Sequence, residues 1–248
     1  MMNSSSASIL KENPMDGNFL LDPSNLAIET KHVCRVYKNK AQQEVWALRG
    51  INLRIPPGQF VVLKGRSGSG KTTLLNCIGG LDQPTRGTVR IFGFEISTLN
   101  EKESTAFRRK QIGFIFQSFG LTPTYSAIEN IELLLQIAGM PYHQRRERAL
   151  HCLEMVDLTK WANHRPDEMS GGQQQRVAIA RAMANKPRLL LADEPTGNLD
   201  SITASEILSL FRRLVQEEGV TILLSSHDPL VDKYADQILQ LKDGRIIG

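Results

Sequence analysis

The 248-residue sequence has no apolar run longer than a strand. Its most apolar stretches, such as LLLA and VTILL, fall far short of the ~18 residues that a membrane-spanning helix needs. The beginning, MMNSSSASILKENPMDG, lacks the basic start and the apolar core of a secretory leader. Any membrane role is therefore expected to run through a partner chain. Cysteine is scarce. Cys34, Cys77 and Cys152 are odd in number and show no C-x-x-C spacing, which argues against a disulfide framework or zinc site and for a reducing cytosol. A surplus of acidic charge is also missing: the net charge is +4 and the pI about 9.0. That mild basic balance suits an ordinary soluble surface, a nucleic acid or an anionic membrane face alike.

What is present is a core of 41% apolar residues, enough for one large α/β domain or a domain with a small subdomain. Residues 1–25, rich in Ser, Asn and Pro, are expected to form a flexible tail, with the folded domain at 26–248. GINLRIP alternates, and FVVLKG, GTVRIFG, IGFIF, RLLLAD and VTILLSS are short strand-like runs. KTTLLNCIGG reads as a helix closed by glycines. The texture becomes helical at roughly 118–185. There Ser126 and Glu129 form a capping box ahead of an apolar helical face, and HQRRERALHCLEMV is a charged amphipathic helix. ITASEILSLFRRLVQEE is a further helix, and Asp243-Gly244 between two short apolar runs signals a hairpin. The organisation is a strand-helix core interrupted by a mostly helical insertion, without internal repeats.

The chemistry begins at GRSGSGKT, residues Gly65, Arg66, Ser67, Gly68, Ser69, Gly70, Lys71 and Thr72, with Thr73 following. The run matches G-x-x-x-x-G-K-[ST], follows a strand and opens a helix, the setting a phosphate loop requires. Glycines let backbone N–H groups approach phosphates, Lys71 offers a mobile positive charge, and the Thr72 hydroxyl can ligate Mg²⁺. Far downstream, LLLADEP ends an apolar strand in Asp193 and Glu194. An aspartate there can hold Mg²⁺, and a neighbouring glutamate can polarise an attacking water. EMSGGQQQRVAIARA holds no nucleophile or metal cluster, yet Ser170, Gly171 and Gly172 stand bare at the start of a helix. A helix start exposes N–H groups and a positive dipole end, which suits an anion; Ser170 as a plain N-cap is the simpler alternative.

Phosphate loop, SGGQ, LLLADEPTGNLD and SSH, in that order, resemble the nucleotide-binding domain of ABC transporters over about Leu26 to Gly248. Met169 stands where the family's signature has leucine, a swap of similar size. The resemblance implies an α/β fold: a P-loop NTPase core with a mixed sheet, an antiparallel β subdomain and an inserted α-helical subdomain at about 118–185. It implies ATP and Mg²⁺ as ligands. Tyr37 would stack on adenine. Gln117 would contact Mg²⁺ and water and sense the membrane partner. Asn198, Leu199 and Asp200 would cross a dimer interface, and His227 would bond the γ-phosphate. Two such domains pack head to tail, so Ser170, Gly171, Gly172 and Gln173 of one copy would face the ATP on the phosphate loop of the other. GGLDQPTRGTV, PTGNLD and HDP resemble the lipoprotein-releasing and macrolide-exporting branch. The implied partners are a second copy and a transmembrane permease at the cytoplasmic face of the membrane, with a periplasmic or extracellular accessory protein possible. Two alternatives remain at this stage: force transmission to an envelope enzyme, and a nucleic-acid ABC ATPase. The sequence shows neither the coiled coils, the second nucleotide domain nor the zinc insertions of the latter class, so no nucleic-acid partner is expected.

Overall fold

The computed structural model describes residues 26–247; the expected tail at 1–25 and the final Gly248 lie outside them. The described residues form two sheets. One is antiparallel, built from β1 (Ile28–Lys38), β2 (Glu44–Ile55), β4 (Arg86–Ile91) and β5 (Phe94–Glu95) in the order β2-β1-β4-β5. The other contains β3 (Phe60–Lys64), β6 (Ile112–Ile115), β7 (Leu189–Asp193), β8 (Thr221–Ser226), β9 (Gln237–Lys242) and β10 (Arg245–Ile246), in the order β10-β9-β3-β8-β7-β6. It is parallel except for the β9–β10 hairpin. At the hairpin turn Asp243 and Gly244 both have positive φ, 47° and 74°, as the Asp-Gly signal requires.

The strand runs read in the sequence are strands here because the central ones are covered on both faces. β3, β7 and β8 are buried along nearly their whole length, which is why they read as continuous apolar runs without alternation. Alternate residues nevertheless serve different cores. Phe60 and Val62 of β3 pack with the helices α3 (Ala127–Ile137), α4 (Tyr142–Met155), α5 (Gly171–Ala182) and α6 (Ser201–Glu218). Val61 and Leu63 pack with the antiparallel sheet and with α1 (Lys71–Ile78). The parallel sheet is thus the shared wall between two apolar cores.

Helices α3, α4 and α5 lie between β6 and β7 in the chain. The capping box expected at α3 is formed: the Ser126 N–H donates to Glu129 Oε2 at 2.7 Å and the Glu129 N–H to Ser126 Oγ at 3.4 Å. A further helix, α2 (Glu101–Gln111), is too polar for the apolar-periodicity signal to mark; its own capping box, Asn100 with Glu103, defines its start. Among the described residues no helix is long and apolar enough to cross a membrane.

Candidate functional site

The C-terminal ends of β3, β6, β7 and β8 point the same way because these strands are parallel, and ligands in open α/β sheets gather at that edge. The phosphate loop, Gln117, Asp193, Glu194 and His227 fall there. β3 leads into the loop Gly65–Gly70, which opens α1. Gly70 takes the N-cap position with φ 105°, and a Cβ there would stand 2.5 Å from the Ala47 carbonyl oxygen. Only glycine fits. No side chain caps α1 and no acid sits in its first turn, so the end keeps its positive dipole. The Ser69 hydroxyl is buried in this cradle without a hydrogen-bond partner.

Lys71 is only 5% exposed. Its ammonium donates to the carbonyls of Gly65 at 2.9 Å and Arg66 at 3.2 Å, and pairs with Glu194 Oε1 at 3.2 Å. The second Glu194 oxygen lies 3.4 Å from His227 Nδ1. The carboxylate therefore stands between the two nitrogen groups that the sequence reading assigned to the phosphates. Glu194 adopts φ 45°, an unfavourable backbone for a residue with a side chain, costing about 1–3 kcal/mol. Its N–H is held in that pose by the carbonyl of Ser225 at 3.2 Å and its hydroxyl at 3.1 Å.

Asp193 accepts from the Thr72 hydroxyl at 2.7 Å and from the Ser225 hydroxyl at 2.5 Å. The paired Thr72 and Asp193 oxygens are hard donors, the kind that suits Mg²⁺. Gln117 follows β6 and lies against the turn after Glu194. Its carbonyl accepts from Asn198 Nδ2 at 3.1 Å, and its side-chain nitrogen would be 3.0 Å from a Cβ on Gly197. Sequence reasoning missed Ser225, which braces both acids.

Tyr37 lies near the end of β1, 38% exposed, with Val45 of β2 directly opposite it in the register. Val45 is also exposed and shares the face of Tyr37. It too escaped the sequence reading.

The SGGQ segment is assembled differently. Ser170 caps α5: the Gln173 N–H donates to its hydroxyl at 3.3 Å, and its own N–H donates to Gln173 Oε1 at 2.9 Å. The helix-cap reading therefore holds within the chain. It occupies an acceptor lone pair of Ser170 Oγ and leaves the hydroxyl proton free to donate. The bareness of Gly172 has a packing cause that the sequence hid, because a Cβ there would meet Thr203 Cγ2 at 2.5 Å. The side chains nearest to Gly171 and Gly172 are Leu199, Phe119 and Thr203, none of them in the phosphate loop. Asp200 caps α6, accepting from the N–H groups of Ile202 and Thr203 at 3.0 Å and the Thr203 hydroxyl at 2.6 Å. Those bonds, led by the Thr203 hydroxyl, hold its carboxyl below the usual carboxylate range.

A phosphate loop opening a helix, with two acids delivered at the same sheet edge by a parallel strand one position removed, defines an ATPase of the P-loop class. The chain belongs to the ABC transporter family, whose sequence profile matches residues 48–197. It is 47% identical over 223 residues to the uncharacterized ABC transporter ATP-binding protein MJ0796 of Methanocaldococcus jannaschii, covering 88% of this chain and 94% of that one. It is 43% identical over 220 residues to the lipoprotein-releasing system ATP-binding protein LolD of Hyphomonas neptunium, covering 89% and 96%. With the macrolide export ATP-binding/permease protein MacB of Syntrophobacter fumaroxidans it shares 48% identity over 221 residues, 88% of this chain but 31% of that longer protein. The fold matches the dimeric post-hydrolysis structure of MJ0796 bound to ADP and Pi, with a TM-score of 0.81 and 45% identity over 89% of this chain and 97% of that one. The protein is thus an ATP-binding ATPase subunit of the ABC type.

Proposed function

We propose that two copies of this chain close head to tail around two ATP molecules, and that hydrolysis drives a separate membrane permease in export or extrusion. The carrying observation is the placement of Lys71, Glu194 and His227 within one contact chain at the strand ends. In this reading Lys71 moves from the loop carbonyls to the β- and γ-phosphates. Glu194 accepts the proton of the attacking water, and His227 donates to the γ-phosphate. Thr72, Asp193 and Gln117 hold Mg²⁺, which when bound neutralises phosphate charge. The Ser170 hydroxyl and the α5 N–H groups meet the γ-phosphate bound to the other copy. The lobe at 118–185 carries that signature, so losing the γ-phosphate loosens the dimer.

The permease contact lies in an apolar groove between the two cores. Leu81, Phe116 and Ile137 are exposed along it, with Phe114 and Leu134 at its floor. The groove borders the Gln117 loop, so a docked cytoplasmic segment would sense the site. Leu121, in the loop beside the groove, is half-buried against the helical core. Attachment there would place the chain at the cytoplasmic face of the membrane.

Glu194→Gln tests the reading. It keeps the shape and removes the proton acceptor, so hydrolysis should fall about 10²–10⁴-fold. Mg-ATP should then accumulate a dimer on size exclusion. Hydrolysis at the wild-type rate would remove Glu194 from the role.

A further inference from the structure

The surroundings of Tyr37 are more ordered than a tyrosine at a strand edge needs. Arg35 and Tyr37 are two residues apart on β1, and both side chains reach Asp82. The Arg35 guanidinium carbon lies 4.5 Å from the Tyr37 ring centroid, within the range at which a cation is held against an aromatic face. Asp82, in the segment leaving α1, grips both residues. Its Oδ2 accepts from Arg35 Nε at 2.8 Å and from the Tyr37 hydroxyl at 2.7 Å, and its Oδ1 lies 2.7 Å from Arg35 Nη2. The Asp82 N–H donates to the Asn76 carbonyl of α1 at 3.2 Å. Burial, reinforced by Asp82, raises the Tyr37 phenol above its ordinary value and keeps it a donor.

We propose that Asp82 and Arg35 are positioning residues for the nucleotide, fixing the Tyr37 ring with Arg35 against one face so that the other receives the adenine of ATP. The inference rests on reading Tyr37 as the base-stacking residue. An unfixed tyrosine would lose side-chain freedom each time a base bound; here that freedom is already lost on folding. The clamp also ties the base platform to α1, which carries Lys71 and Thr72. The base and phosphate contacts are thereby linked through α1 and the segment that follows it, and neither Asp82 nor Arg35 needs to touch the ligand.

The test is steady-state ATPase kinetics of the full chain, with inorganic tripolyphosphate as a competitive inhibitor that lacks a base. Tyr37→Ala should raise KM for ATP and leave the tripolyphosphate inhibition constant unchanged. Asp82→Ala should raise KM for ATP about 3- to 10-fold with kcat retained, again without moving the tripolyphosphate constant. Asp82→Asn, which keeps an acceptor, should recover part of the loss. In the Tyr37→Ala background Asp82→Ala should add nothing, because the clamp acts through the ring. Tyr37→Phe removes only the pinned hydroxyl and should reproduce a smaller rise in KM, which serves where Asp82→Ala folds poorly. If Tyr37→Ala leaves KM for ATP unchanged, the stacking reading fails and the clamp with it. If Tyr37→Ala raises KM while Asp82→Ala and Tyr37→Phe do not, stacking stands and the clamp is overturned. The clamp is equally overturned if Asp82→Ala weakens tripolyphosphate and ATP alike, the mark of a damaged α1.

Discussion

At the scale of single residues, burial decides which groups can react. Cys77 and Cys152 are enclosed in the two apolar cores, and burial pushes their thiols up to about 12 and about 11. Thiolate is the nucleophile, so at pH 8 only ~10⁻⁴ and ~10⁻³ of these groups are in reactive form, and solvent does not reach them. Cys34, half-buried beside the Gly50 N–H, is the accessible one. An aromatic disulfide reagent at pH 8 should therefore titrate one thiol in the native protein and three after denaturation. Rapid loss of three native thiols would contradict the packing. Lys71, Asp193 and Glu194 could be singled out without a structure because the phosphate-loop motif is local, and two acids after an apolar run, a weak signal alone, gain weight downstream of it. Ser225 and Asp82 were not, since each acts on residues more than thirty positions away in sequence, and only the fold joins them.

At the scale of elements, the start of α5 carries two demands at once. Ser170 and Gln173 close its cap, while Gly172 admits Thr203 from the start of α6. The sequence pattern suggested one cause for the bare glycines, an anion; packing is a second, invisible without knowing that α6 crosses there. Gly172→Ala should overpack this contact at about 1–3 kcal/mol, outweighing the ~1 kcal/mol that alanine gains in helix propensity. Melting should fall by several degrees, at roughly 2–4 °C per kcal/mol for a chain of this size. Thr203→Ser removes the offending methyl and keeps the hydroxyl that Asp200 accepts, so the same substitution in that background should be harmless. Equal destabilisation in both backgrounds would show that Thr203 is not the obstacle. The strands and the α3 cap were readable because apolar runs and capping boxes are local; α2, polar throughout, left only its Asn100–Glu103 box as a signal.

At the scale of the whole molecule, the reading depends on two copies. In the proposed dimer Ser170→Arg should spoil the signature that a chain offers its neighbour, and Lys71→Ala should spoil its own phosphate loop. Each alone should then give a dimer with two defective sites. Mixed in the Glu194→Gln background, the two should form dimers with one intact composite site and trap more nucleotide than either parent. A mixture that traps no more, with mixed dimers shown to form, would favour the plain cap for Ser170. The groove is tested separately. Ile137 is 57% exposed and lies outside the nucleotide contacts, so Ile137→Asp should lose the permease on co-purification while keeping basal ATPase. Full retention of the permease would place the docking surface elsewhere.

The two-sided burial of β3, β7 and β8 also bears on how the chain finds its alignment. A strand exposed on one face is locked by its pattern, since a slip of one residue would turn its apolar set toward water. β3 has no such lock: an apolar core packs on each of its faces, and a slipped copy would still be buried. What distinguishes the correct alignment is the polar punctuation at the strand ends. At one end the Phe60 N–H donates to Asp236 Oδ2 and the Gly58 N–H to the Thr221 hydroxyl. At the other, Ser225 meets Asp193 and the Glu194 N–H. The acids proposed to serve hydrolysis are thereby also the marks that tell neighbouring strands where to stop, so a substitution at Ser225 or Asp193 should write an error into assembly as well as into the proposed chemistry.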